Sequence, residues 1–339
     1  MEEVVLRPAR PAVRQRPAWR LSVAVALASV LCWFVLPDQL ALLTRIAAMA
    51  LLVLSLDLVV GYAGLATLGQ AAMFGVGAYA AGIVALRWSA DPLVGLLCGA
   101  LAGGAMAGLS GLFLLRYQGF TFLMLTIAVA QIVQSLASKL RDWTGGDDGL
   151  SGYLLSPLLG RFEFDLEGRT QYAYVCAVLV ILLYVLRRLM NSPFGLSVQG
   201  IHQSRARMSA LGTAIVPQLW RMYTLAGAVA GMAGALTAQT ALVVGLDSLG
   251  FNLSAEAIVM LVLGGAGRLT GALIGTAVFM VLHHTASSIN PYHWLFVIGG
   301  LLMVVVLMPK VSWRALPRPV LRKLGLHAAE PANKKEVLA

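Results

Sequence analysis

Residues 40–60 read LALLTRIAAMALLVLSLDLVV, and residues 61–79 follow as GYAGLATLGQAAMFGVGAY. As a helix the first stretch extends about 31 Å at 1.5 Å per residue, close to the roughly 30 Å of bilayer hydrocarbon. The second stretch stays apolar, but Gly61, Gly64, Gly69, Gly75 and Gly77 punctuate it. Glycines at this density lower helix propensity. An unbroken apolar span running into a glycine-interrupted one predicts a membrane protein with irregular helices.

The rest of the chain repeats that pattern. Of 339 residues 59% are hydrophobic and 12% charged, against about 25% charged in soluble domains. Mean hydropathy is +0.82. The apolar residues gather in blocks near 21–36, 40–60, 62–86, 92–115, 119–137, 171–187, 221–243, 254–266, 270–288 and 292–309. The expected fold is an all-α polytopic membrane protein of about ten transmembrane helices, some short or broken. Residues 1–20 form a basic arm, 21–309 the transmembrane domain and 310–339 a basic tail. The long polar interruptions are 138–170 and 188–220.

The net charge of +10 is placed as the positive-inside rule requires. Arg7 to Arg20, the pair Arg187 and Arg188, Arg205 to Arg221, and Lys310 to Lys335 all flank apolar blocks. This pattern calls for a lipid bilayer as partner and no nucleic acid. Putting arm, 188–220 loop and tail on one side requires an even number of crossings after Arg187. The stretch 254–288 therefore splits at Gly264-Gly265-Ala-Gly267-Arg268-Leu-Thr-Gly271, and both termini are cytoplasmic. The piece 254–266 is short for a full span and reads alternatively as a half-helix with its ends buried in protein. The basic arm and Leu21–Leu36 resemble a signal peptide, but Pro37 and Asp38 follow without a small-residue cleavage site, so an uncleaved first span is expected.

Enzyme chemistry finds no foothold. None of the five lysines completes a phosphate-cradling G-x-x-x-x-G-K-[ST] loop, and neither H-E-x-x-H nor G-x-S-x-G occurs. Cys32, Cys98 and Cys176 lie inside apolar blocks without metal-ligand spacing. His283 and His284 are adjacent, so on a helix they point about 100° apart and read as interfacial residues rather than metal ligands. No cofactor is expected in this chain.

Two acids, Asp57 and Glu256, stand inside apolar blocks. A charge at mid-bilayer costs about 2.5–3.5 kcal/mol on insertion scales, so each is either functional or placed near a helix end where partners are found. The two glycine clusters carry the same alternative. Gly61, Gly64, Gly69, Gly75, Gly77 in one and Gly264, Gly265, Gly267, Gly271 in the other serve either close helix packing or broken helices lining a solute path. Gln70 and Tyr79 add polar groups beside the first. A path of this make-up suits a small, partly apolar solute.

With this topology 138–170 faces outward. Its Thr144-Gly145-Gly146-Asp147-Asp148-Gly149 run, with Glu163, Asp165 and Glu167 beyond, is the natural lid or contact for an external partner. The cytoplasmic 188–220 loop holds a helix-like run that ends at Ala210-Leu211-Gly212, with Pro217 shortly after, as a discrete docked helix would.

Taken in order, Gly61–Tyr79, Thr144–Gly152, Ser192–Gly195, Ala210–Gly212, Ala230–Leu236 and Val262–Gly271 resemble the motifs of branched-chain amino-acid ABC transporter permeases. The outward Thr-Gly-Gly element and the N-terminal extension look like the M-type (LivM-like) subunit. The resemblance covers about residues 40 to 309. It implies an importer of the bacterial inner membrane that works by alternating access. The implied partners are an H-type permease, two ATPase subunits that bind the ATP, and an extracytoplasmic solute-binding protein. Ser197–Leu211 would be the coupling helix, with His202, Arg205, Arg207, Ala210, Leu211 and Gly212 as its coupling residues, and the 144–152 loop would lie where solute is delivered. Two departures stand out. The family's coupling segment is usually acidic where this chain has Arg205, and the family tends to have Asn where Asp57 stands. Related permeases carry urea or short amides, which leaves those solutes as an alternative. A proton-coupled secondary transporter using Asp57 or Glu256 is the rival mechanism.

Overall fold

Each apolar block that falls within the described residues contains a helix. The structure, a computed structural model, describes residues 19–35, 39–153, 155–157, 168–289, 299–300 and 303. The basic arm up to residue 18, the tail, most of the block 292–309 and the acidic Glu163, Asp165 and Glu167 lie outside them.

In chain order the helices are α1 (Trp19–Val35), α2 (Leu40–Asp57), α3 (Gln70–Arg87), α4 (Pro92–Leu114), α5 (Phe120–Lys139), α6 (Arg141–Thr144), α7 (Arg169–Met190), α8 (Pro193–Gln203), α9 (Arg205–Ala210), α10 (Ile215–Ala241), α11 (Phe251–Gly264) and α12 (Leu269–Ile289). A π-helical turn, Leu58–Tyr62, prolongs α2. Among the described residues six helices are long and apolar enough to cross a membrane: α2 with its π turn, α3, α4, α5, α7 and α12. The chain is an all-α polytopic membrane protein. Two short strands, β1 (Leu150–Ser151) and β2 (Val243–Val244), pair antiparallel.

The chain divides into two compact units after Thr285. Of the second unit, the described residues are the end of α12 and helical residues 299, 300 and 303. Everything below concerns the first.

Its centre is α10, 27 residues long, packed against α3 and α4. The reason is a run of small residues four apart. On α4 these are Gly95, Gly99, Gly103, Ala107 and Gly111; on α10, Gly227, Gly231 and Ala235. A Cβ placed on Gly231 would lie 2.2 Å from the carbonyl oxygen of Gly99, and one on Gly77 would lie 2.3 Å from that of Gly231. Backbones this close replace the missing hydrophobic drive in lipid with van der Waals contact. The opposite face of α4 carries Leu97, Leu101, Leu109 and Phe113, all exposed.

Two of the sequence blocks change on folding. The block 62–86 is helical only from Gln70, because Gly64 takes φ +70° and the chain leaves the helix between Ala63 and Gly69. The block 254–266 becomes α11, 14 residues long, about 21 Å by helix rise. Its first two residues, Phe251 and Asn252, are exposed, and it is reached by a 3-10 turn, Leu246–Leu249, that lies along α3. The split between α11 and α12 falls at 265–268, as the even-crossing argument requires.

Candidate functional site

Chemistry begins where α2 ends. Asp57 closes its α-helical part and is fully buried. Its Oδ1 accepts a hydrogen bond of 2.6 Å from the backbone N–H of Gly267, 210 positions away. A Cβ on Gly61, one turn on, would fall 2.1 Å from that Oδ1 and 2.3 Å from the Gly267 nitrogen. The two glycine clusters of the sequence thus meet at one point, with Asp57 as the clasp. Its Oδ2 has no hydrogen-bond partner. Both alternatives for Asp57 contain something of this: it sits at a helix end, and its partner is the loop that opens α12.

The chain beyond Gly61 turns back at Gly64 and enters α3 at Gln70. Gln70 is buried and its Nε2 donates to Ser55 Oγ at 3.0 Å and to the Ala226 carbonyl at 3.4 Å. The Leu68 N–H donates to Thr126 Oγ1, and the Ala71 N–H to Ser254 Oγ. Ser55, Thr67, Gln70, Thr126 and Ser254 are all buried, so four helices and the break contribute one polar cluster at one level. The sequence reading located Gln70 but none of the other four. Their only signal was a scattered hydroxyl in an apolar block, which carries no information until the fold brings them together. The cluster satisfies backbone N–H groups that the broken helix leaves without intrahelical partners.

The remaining glycines are filled by neighbours. Gly69 lies against the Thr126 backbone, Gly75 against Leu249, Gly77 against Gly231, and Gly264 against Gly271 and Gly275. Gly265, at φ +87°, has open space where a side chain would project. Tyr79 lies apart from this cluster, at the middle of α3, where it packs with Leu150, Tyr153, Ala238 and Val244.

The C-terminal end of α3 carries the 144–149 loop. Thr144 Oγ1 donates to the Ala137 carbonyl at 2.6 Å, and Asp147 accepts from Ser138 Oγ at 2.6 Å. Gly145, Gly146 and Gly149 all take positive φ. The β1–β2 pairing and a 2.7 Å hydrogen bond from Tyr153 OH to the Ala238 carbonyl tie the loop to the end of α10. Arg87 closes the other side, 4.1 Å from the ring centroid of Trp143. Burial pushes the Tyr153 phenol well above its usual range. The loop is a fixed platform, with Asp147 and Asp148 exposed on it.

At the basic end, the expected single run Ser197–Leu211 is two helices. Ser204 is extended, ends α8, and caps α9 by accepting from the Arg207 N–H. After Ala210 the chain closes in a Schellman turn: Gly212, at φ +78°, bonds Ser209 and Thr213 bonds Met208. His202 and Arg207 are exposed; Arg205 is half-buried, which lowers its pKa. The His202 ring lies directly against Gly64, where a Cβ would come within 2.3 Å of its Cδ2. The α8–α9 helix pair therefore touches the helix break itself.

Glu256 lies in the second turn of α11, half-buried, within electrostatic reach of Arg45 on α2. Arg45 also acts on His283. Sequence reading did not single out Arg45; its place inside an apolar block was the available signal. Among the described residues no group of three or more His, Cys, Asp or Glu is arranged to hold a metal.

Residues 39–307 match the family described as branched-chain amino acid transport system / permease component. One curated relative is the high-affinity branched-chain amino acid transport system permease protein LivM of Salmonella typhimurium (strain LT2). It is 27% identical over 308 residues, which cover 82% of this chain and 71% of the relative. The protein of the same name from Escherichia coli (strain K12) is 26% identical over 306 residues, with the same coverage. No solved structure matches this chain.

Proposed function

Since this chain belongs to the family of branched-chain amino acid transport system permease components, we propose that it is the membrane subunit of an ATP-driven importer for branched-chain or related small amino acids. It works in a bacterial inner membrane with a second, H-type permease, two ATPase subunits and an extracytoplasmic solute-binding protein. ATP is bound by the ATPases, and this chain contributes no catalytic group. The solute route follows the broken start of α3, from the 144–149 platform at the outer end toward Gly61, Gly64 and Gly265 at the inner end. Irregular backbone at membrane depth is tolerated where it is buried in protein or lines a cavity, and lining the route is the role this reading gives both breaks.

The contact of His202 with Gly64 carries this reading. A cytoplasmic helix pair with exposed cations at its tip is joined to the one place where the transmembrane chain is unwound. Force applied to α8 and α9 from below arrives at the entrance of α3. Because Arg205 and Arg207 are basic, the ATPase surface they meet carries acids.

A proton-coupled carrier is the second reading, motivated by the buried Asp57 Oδ2 without a hydrogen-bond partner. The two separate in membrane vesicles holding the full assembly. Uptake that requires ATP and survives a protonophore supports the importer; uptake that survives ATP depletion and collapses with the protonophore supports the carrier. Arg205→Glu should lower the ATPase stimulation by solute-loaded binding protein while the chain still inserts normally. Unchanged stimulation would remove Arg205 from the coupling surface.

A further inference from the structure

At the basic end, the last turn of α7, the first turn of α8 and the early turns of α10 leave between them a cavity of about 370 Å³, open to the surface. That is the size of a small-ligand site. Leu189, Phe194, Trp220, Thr224 and Leu225 form its wall, with Arg221 beside them. The polar atoms of two of these are already used. Trp220 Nε1 donates to the Gly108 carbonyl and Thr224 Oγ1 to the Trp220 carbonyl, each at 2.9 Å. The cavity is therefore apolar except for one guanidinium.

Its charge lies at one end only. Arg221 and Arg188, the neighbour of Leu189, are exposed, and among the described residues neither makes an ion pair. The whole stretch 168–246, which includes α7, α8, α9 and α10, contains no Asp or Glu. Away from the arginines the apolar surface continues. Leu225 is exposed one turn beyond Arg221, and Val185 and Ile181 are exposed one and two turns before Leu189.

We propose that this cavity binds an anionic phospholipid, with the headgroup phosphate on Arg221 and Arg188 and an acyl chain laid along Leu225, Val185 and Ile181. A guanidinium takes phosphate oxygens in a two-pronged hydrogen bond, and basic pockets beside membrane helices gather anionic headgroups. Free phosphate would leave the apolar cavity empty, and an uncharged lipid would leave the guanidiniums without an anion. An amphiphile with a negative head matches both. Because Phe194 belongs to α8, the bound chain braces that helix, which is otherwise held by Gln199 on the Met190 carbonyl and by Gln218 on Ser197 Oγ. The site goes beyond the importer reading, and lipid retention is measured without transport, so the two can fail separately.

The test uses the protein purified in mild detergent with its companion subunits, stripped of native lipid and titrated with dioleoyl phosphatidylglycerol or dioleoyl phosphatidylcholine. Native mass spectrometry should show the phosphatidylglycerol adduct retained several-fold better. Arg188→Gln/Arg221→Gln should reduce it to the phosphatidylcholine level. Arg116→Gln, which removes an exposed arginine outside the cavity, should leave the preference intact. Leu225→Trp, which crowds the cavity and keeps both arginines, should lower retention as well. Equal retention of the two lipids, equal losses in Arg116→Gln and the double variant, or retention unchanged in the double variant or in Leu225→Trp overturns the inference. The last two results are those expected if another protein segment fills the groove.

Discussion

At the residue scale, two contacts decide the inner end of the molecule. Gly64 has a left-handed backbone and the His202 ring where its side chain would be. Gly64→Ala therefore costs about 1–2 kcal/mol of backbone strain and displaces the ring as well. Uptake by the assembled complex should fall, and Gly64→Ala/His202→Ala should regain part of it, because the collision is gone and only the strain remains. A double variant worse than the sum of the singles would show that the contact is not the link. Asp57 presents the second case. Asp57→Ala removes the acceptor of the partly buried Gly267 N–H, a loss of about 1 kcal/mol, and should lower the thermal midpoint in detergent. Asp57→Asn keeps an acceptor oxygen and should lie close to wild type. Equal midpoints for all three would mean the hydrogen bond contributes nothing.

At the scale of helices, the sequence was most legible where one helix carries its own pattern. The glycine run at 264–271 marked the split between α11 and α12, and the Leu211-Gly212 stop was read correctly as a helix end. What stayed hidden depends on partners far away in the chain. Ser55, Thr126 and Ser254 are single hydroxyls in apolar surroundings, and only the return of the chain at Gly64 sets them around Gln70. The break after Ser204 was missed for a related reason. A serine within a helix-like run gives the same local signal whether it lies inside a helix or caps the next one, and here the extended backbone at Ser204 makes it a cap. The helix-packing claim is tested by Gly103→Leu, since a Cβ there would already lie 2.6 Å from the Gly227 carbonyl oxygen. Overpacking costs about 1–3 kcal/mol or more, so the variant should accumulate poorly in membranes and lose its cooperative thermal transition. Leu101→Ala on the exposed face of the same helix should leave both measures near wild type.

At the scale of the whole molecule, the two ends are built for different tasks. The end at 144–151 is a platform pinned by β1–β2, Tyr153 and Arg87, whereas the opposite end joins the basic α8–α9 pair to an unwound segment. Under the proposed function such a chain receives solute on one side and force on the other, with the energy supplied by companion subunits. Uptake by purified protein in sealed proteoliposomes, compared with and without its companion subunits, tests this most directly. The full assembly with ATP and binding protein should concentrate solute, and the chain alone should leave it at or below equilibrium. Accumulation against a gradient by the chain alone would contradict the separation of route from motor.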